Sequence, residues 1–230
     1  MTIVEATPGS TLAESSIAVL ETGRLILRVP RIEDMTWIAE LADNRKVAEM
    51  TANIPHPYGM ADAAAFIANL PGGPEAATFA IFLKDEAVLR QGAPGFGAPG
   101  FGAPGFGPPI PVGMCGFVRR DEDAPEIGYW LGEPYWGHGI ATEAARALID
   151  HAFGDRKLDA LIASARVVNP ASRQVIEKCG FQWTGVGLAR VRAIGASVPV
   201  DRFRLERRLW TSLRAWGATK PPRLHDSTRH

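Results

Sequence analysis

Residues Pro134 to Glu143 (PYWGHGIATE) set two glycines, one residue apart, in front of a helix-forming run. Gly137 and Gly139 let the backbone bend tightly and approach a ligand with no Cβ in the way. The first-turn amides of the helix behind them have no acceptor within that helix. Those donors and the positive end of the helix dipole suit a diphosphate, and the Thr142 hydroxyl can add a donor. A plain strand-to-helix turn has the same residues, so rival motifs matter. A Walker loop needs a Gly-Lys-Ser/Thr ending, which does not occur. A dinucleotide fingerprint needs a third glycine where Thr142 stands, and an acid closing the next strand; Asp159 falls at that strand's start. There is no histidine pair at metal-ligand spacing and no Gly-x-Ser-x-Gly elbow, so no metal is expected.

The turn needs a strand before it and a helix after it, and both are legible. Glu126 to Leu131 (EIGYWL) reads as a strand, and Gly137 to Phe153 as the turn and a long amphipathic helix. Upstream, Arg24 to Val29 alternates as a first strand. Arg31 to Met50 has helical spacing, and Met60 to Asn69 is a second helix. Ala77 to Lys84 and Val112 to Arg119 are strands. Between them GAPGF repeats three times from Gly92, ending at Gly107. Regular proline and glycine forbid helix and strand there, so residues 91–109 are expected to be a disordered loop. Downstream come an apolar strand from Leu158 to Val167 and a helix from Asn169–Pro170 to Lys178. Strands at Phe181 to Val186 and Asp201 to Leu209 follow. The order β-α-α-β-β-β-α-β-α-β-β predicts an α/β mixed sheet with helices on both sides. Residues 1–21 read as a mobile lead-in, 22–210 as one domain and 211–230 as a loose tail.

The totals exclude several classes. Of 230 residues, 25 are basic and 25 acidic, which gives no electrostatic case for nucleic acid or an anionic membrane. Cys115 and Cys179 are far apart and read as structural thiols of a reducing compartment. With no signal peptide pattern and no apolar run long enough to span a bilayer, a cytoplasmic protein is expected.

Three segments, EIGYWL from Glu126, YWGHGIATEA from Tyr135 and NPASRQVIEKCGF from Asn169, together resemble consecutive motifs of the GNAT superfamily of N-acetyltransferases. The nearest branch acetylates the N-termini of ribosomal proteins. The resemblance covers roughly Gly23 to Trp210 and implies a GNAT-type acyl-CoA N-acyltransferase fold: a central twisted mixed sheet flanked by helices. It implies acetyl-CoA (coenzyme A) as cofactor. The pantetheine arm would lie along Ile127, Gly128, Tyr129, Trp130 and Leu131. The pyrophosphate would sit on Gly137, His138, Gly139, Ile140, Ala141 and Thr142, with Trp136 where the family usually has Gln or Arg. No chemistry falls to the His138 side chain, which is expected to point outward. Asn169 matches a cofactor contact, with a helix N-cap as its other role. Ser172 matches a serine placed to protonate the CoA thiolate, or else a first-turn residue that caps locally. Glu126 is the candidate base, or else a strand-edge charge. The stretch Gly187 to Arg192, where the branch sometimes has a glutamate, holds no acid. His56 and Tyr58, on a loop that borders the acceptor site in this fold, and Trp37 and Trp183 are acceptor-site candidates; turn and core roles compete.

The implied reaction is direct attack of an amine on the thioester. Near neutral pH an α-amine is roughly one-third neutral, a lysine amine about one part in a thousand, a difference of about 3 kcal/mol. A site without a strong base therefore favours a protein N-terminus or a small amino compound. The contrasting class is an acyl-CoA-binding sensor or scaffold without turnover. The chain is expected to be a monomer or homodimer.

Overall fold

A computed structural model describes residues 19–85, 108–119 and 124–218. The repeat from 92 to 107, most of the lead-in and the last twelve residues lie outside them.

The strands are β1 (Val19–Glu21), β2 (Leu25–Arg28), β3 (Ala76–Leu83), β4 (Ile110–Val118), β5 (Glu126–Leu131), β6 (Ala160–Arg166), β7 (Gln182–Val191) and β8 (Ala196–Glu206). They form one sheet in the order β1-β2-β3-β4-β5-β6-β8-β7. Every neighbouring pair is antiparallel except β5–β6, which is parallel because a helix, α4 (Ile140–Asp150), makes the crossover between them. Helices α1 (Met35–Ala42), α2 (Arg45–Glu49) and α3 (Met60–Ala68) precede β3. Helix α5 (Pro170–Lys178) links β6 to β7, and α6 (Arg207–Ala218) follows β8.

Both faces of the sheet are covered, so β3 is buried almost throughout. On one face α4 and α5 close the larger core, around Phe79, Phe117, Leu148, Leu161 and Phe203. Burying each such side chain contributes about 1.5–3 kcal/mol. On the other face α1 and α3 pack Ile38, Ala42, Tyr58 and Ala63 against Met114 of β4, with Trp130 of β5 beside them.

Four expectations change. Arg31 to Met50 is not one helix, because Asn44 adopts an extended backbone and its side chain accepts from the amides of Lys46 (2.9 Å) and Val47 (3.3 Å). Those two bonds start α2 anew. The expected lead-in already contains β1, which pairs with β2. Strand β7 runs on to Val191, because nine backbone register positions with β8 outweigh a small, polar sequence. Finally, the strand expected from Asp201 to Leu209 starts earlier and ends at Glu206, and α6 begins at Arg207 and runs to Ala218, into the tail expected to be loose from residue 211. The indole of Trp210 donates to Asp150 at 2.8 Å and its ring lies 5.4 Å from that of Phe153. This contact anchors the helix on α4. The Gly137–Phe153 helix ends in a π-type turn at His151–Asp155.

Candidate active site

Strands β5 and β6 pair at only two registers, Glu126 with Ile162 and Ile127 with Ala163. Beyond Ile127 they diverge, and Gly128 to Leu131 pair only with β4. A cleft of about 890 Å³ runs through the gap. Side chains alternate along β5, so the cleft has two distinct walls. Ile127 and Tyr129 face α4 and α5, while Trp130 packs with α1 and α3. Glu126 shares the parity of Trp130 and so belongs to the second wall.

A short 3-10 turn at Glu133–Tyr135 leads from β5 to α4. Gly137 (φ +80°) and Gly139 (φ +74°) are both left-handed, which any larger residue adopts only under strain. Nothing lies within 4 Å of where a Gly137 Cβ would be. Helix α4 has no side-chain cap, so its first amides face outward. This arrangement fits a diphosphate. Trp136 does not join it as a donor: its amide donates to the Glu133 carbonyl (3.2 Å) and its indole to that of Leu131 (2.8 Å). Nor is the His138 imidazole turned wholly outward, since its Nδ1 is buried without a partner.

The turn is held from behind by β2 and the residues before it. Arg24 donates from NH1 to the His138 carbonyl (2.9 Å) and from Nε to Glu143 (2.6 Å). Glu143 also accepts from the Thr22 hydroxyl (2.5 Å) and the Arg24 amide (3.0 Å). Burial alone would raise the Glu143 pKa; these donors outweigh it and hold the carboxyl below the usual range. The clamp keeps a carboxylate near an anion site from presenting an unbalanced charge. No short motif signals it, because Arg24 and Glu143 are 119 residues apart.

On the α5 side, Asn169 caps the helix by accepting from the Ser172 amide at 3.0 Å, and Pro170 fits the first helical position. Ser172 Oγ lies 3.0 Å from the Tyr129 hydroxyl, which also donates to the Ser172 carbonyl at 3.1 Å. Burial raises the Tyr129 pKa against the lowering effect of the Ser172 bond, so the phenol stays protonated. The sequence reading used Tyr129 only for its backbone; strand parity toward α5 was the available signal for its side chain. Burial also raises the thiol pKa of both cysteines, Cys179 to about 11, consistent with structural roles.

On the α1/α3 side, Glu126 lines the cleft, and its carboxylate has no hydrogen bond or ion pair among the described residues. Tyr58 also lines it; burial and the nearby Asp62 push its pKa up to about 12. The other three acceptor-site candidates stand elsewhere. His56 Nδ1 lies 3.2 Å from Asp43, outside the cleft lining. Trp37 donates to the buried Asp34 at 3.0 Å and packs edge-on against Phe82, a core role. Trp183 is held by Asp201 at 3.0 Å on the sheet's outer edge. The cleft instead brings in Ser164, Arg166, Arg190 and Arg192, which the sequence did not single out. Among the described residues, no cluster of metal-binding side chains occurs and no helix is long and apolar enough to cross a membrane.

A parallel strand pair that splays above an uncapped, glycine-led helix defines an acyltransferase type of sheet. Residues 24–182 match the acetyltransferase (GNAT) domain, and the chain belongs to that family. An uncharacterized N-acetyltransferase, p20, of Bacillus licheniformis is 34% identical over 99 residues, 42% of this chain and 56% of its own. The ribosomal-protein-serine acetyltransferase of Escherichia coli is 39% identical over 72 residues, 30% of this chain and 40% of its own. The chain spans about half the length of the curated relatives it matches. Among solved structures, Mycobacterium smegmatis RimJ, in complex with CoA-disulfide, superposes with a TM-score of 0.62 at 19% identity, covering 87% of this chain and 94% of that one.

Proposed function

We propose that this protein is an acetyl-CoA-dependent N-acetyltransferase acting on a primary amine, a protein α-amine or a small amino compound. One observation carries the reading: the cleft crosses the sheet, with Glu126 on one wall and the Tyr129–Ser172 pair on the other. A two-substrate reaction needs this geometry, with acceptor and donor entering from opposite faces and meeting in the gap.

The thioester would supply an activated acyl carbon. The unpaired edge of β5 from Gly128 orients the donor arm, and the amides from Gly137 to Thr142 bind its diphosphate. Glu126, unpaired, takes the proton that the attacking amine releases, directly or through water. As the C–N bond forms and the C–S bond breaks, the sulfur leaves as a thiolate. The Ser172 hydroxyl protonates it and regains a proton from solvent, while the Tyr129 phenol, 3.0 Å away and itself still protonated, holds that hydroxyl in place.

The test is thiol release from acetyl-CoA by the full chain over α-amino peptides, amino sugars and alkylamines. Turnover with at least one amine class, lost in Ser172→Ala, is the expected result. Tight acetyl-CoA binding with no thiol release against the panel sinks the proposal.

A further inference from the structure

Among the described residues Arg146 and Arg156 bond carbonyls or a histidine ring without a carboxylate partner, whereas Arg24, Arg28, Arg45, Arg119, Arg173, Arg204, Arg207 and Arg214 pair with carboxylates. The three arginines that line the cleft do not. Arg166 donates from NH1 to the Glu49 carbonyl at 2.7 Å, and its buried Nε has no partner. Arg192 donates to the Asn53 carbonyl at 3.3 Å. The Arg190 side chain has no hydrogen bond or ion pair among the described residues, its backbone pairing with Ser197 of β8. Two of the three are therefore tied by carbonyls, one from the last residue of α2 and one from the segment after it; neither is in an ion pair, although Arg166 also acts electrostatically on the Glu49 carboxylate. The third is free.

In a chain whose formal net charge is zero, three guanidinium groups gather in one cleft, Arg166 half-buried and Arg190 and Arg192 exposed. Two carboxylates line the same cleft. Asp62 accepts from the Gly59 amide at the start of α3, and Glu126 is the base of the proposed reaction. A guanidinium presents a planar fork of N–H donors that suits a carboxylate or phosphate. Position adds a length requirement. Glu126 is opposite Ile162, and Arg166 is four residues further along β6, about 13 Å at roughly 3.3 Å per residue.

We propose that the acceptor is a small α-amino compound bearing a carboxylate or phosphate, bound by Arg166, Arg190 and Arg192, with several bonds between anion and amine. This rests on the acetyltransferase reading and narrows its acceptor. The Glu126 and Arg166 side chains cover part of that distance and the acceptor the rest, so the anion stands several bonds from the amine. The first residue of a protein chain offers no such anion.

Matched acceptors test it with the full chain and acetyl-CoA. The carboxylate pair is alanyl-glycine and alanyl-glycinamide; the phosphate pair is phosphoseryl-glycinamide and seryl-glycinamide. One charge-assisted contact corresponds to about 10- to 100-fold in kcat/KM. The anionic member of at least one pair is expected to lead by that factor, and which pair does so tells the two anions apart. Arg190→Ala, which breaks no internal bond, should cut that lead about tenfold; Arg190→Lys should restore part of it. Equal use of charged and neutral members overturns the inference and leaves the acetyltransferase reading intact, as does equal use of a longer neutral peptide. If no acceptor is turned over, that reading fails. Calorimetry of the same pairs with the CoA-saturated protein then decides the inference: preferential binding of the anionic member upholds it, and equal or absent binding overturns it.

Discussion

The two walls of the cleft are built in different ways. The donor wall is local: β5, its turn, α4 and the start of α5 form a near-continuous stretch, and each part is set by a residue type that few others replace. Gly137 and Gly139 supply left-handed turns, Asn169 and Pro170 start a helix, and Ser172 sits one turn in. The acceptor wall is assembled from afar. Tyr58 comes from the loop before α3, Arg166 from the end of β6, and Arg190 and Arg192 from β7 and the turn after it. A donor common to many reactions can be held by a local motif, whereas a particular acceptor is matched by side chains that vary separately.

The largest effect should come from loading the donor wall with charge. Gly139→Asp forces a left-handed φ on a residue with a Cβ, and that Cβ would sit 3.4 Å from the Arg24 guanidinium. It also puts a carboxylate where a diphosphate is expected. Acetyl-CoA affinity by calorimetry should fall about 1000-fold, from repulsion together with backbone strain. Gly139→Ala should lose far less, since only the strain remains. Unchanged affinity in the aspartate variant would remove the phosphate turn from the mechanism.

Next comes the acid. Ser172→Ala should lower kcat about 100-fold, within the usual range for a proton donor, with acetyl-CoA affinity nearly unchanged. Tyr129→Phe should lower kcat less, because Ser172 keeps its own hydroxyl. If Ser172→Ala leaves kcat intact while Tyr129→Phe abolishes it, the phenol is the acid and the serine only positions it.

A smaller effect is expected at the clamp. Arg24→Ala removes the bonds to the His138 carbonyl and Glu143, so the turn loosens and Glu143 keeps an uncompensated charge. Acetyl-CoA should bind about tenfold more weakly, with kcat changed less than KM. The pH dependence has a definite sign. The Glu143 pKa is depressed in the folded state, so its stabilising contribution is complete above the ordinary glutamate range, about 4.3, and is lost as pH falls through the lower folded value. Thermal unfolding of Arg24→Ala should therefore show a shallower loss of stability on acidification. An unchanged slope would mean that Thr22 and the backbone amide alone set the Glu143 pKa.

The same division explains what the sequence made legible. Strand β5 fell on its expected bounds, Glu126 to Leu131, and α5 on Pro170 to Lys178, because cap, proline and alternation are local signals. The mixed sheet and the glycine turn before α4 followed from those pieces. The arginines of the acceptor wall did not, since each is an ordinary charged residue until β6, β8 and β7 come together. Helix α6 escaped for a related reason. The alternation of Phe203 and Leu205 continues formally to Leu209, and only the docking of Trp210 on Asp150 and Phe153 decides for helix. Trp136 is the opposite case: its place in the motif suggested a contact, and its two N–H groups donate to carbonyls of Glu133 and of Leu131 in β5.

The smallest predicted effect is the most diagnostic for the acceptor wall. His56 was attractive in the sequence because a histidine on the acceptor loop can relay a proton. In the structure its ring lies against Asp43, and it does not line the cleft, while Tyr58, two residues on, does. The Asp43 carboxylate also accepts from the Tyr58 amide at 2.9 Å, so this acid fastens the loop by two contacts. His56→Ala removes one of them at a partly exposed site, which costs little. It should change kcat/KM less than about twofold and leave the shape of the pH–rate profile as it was. A large loss of kcat with a shifted profile would place a proton relay on this loop, and the acceptor wall would then have to include a residue that its present geometry turns away.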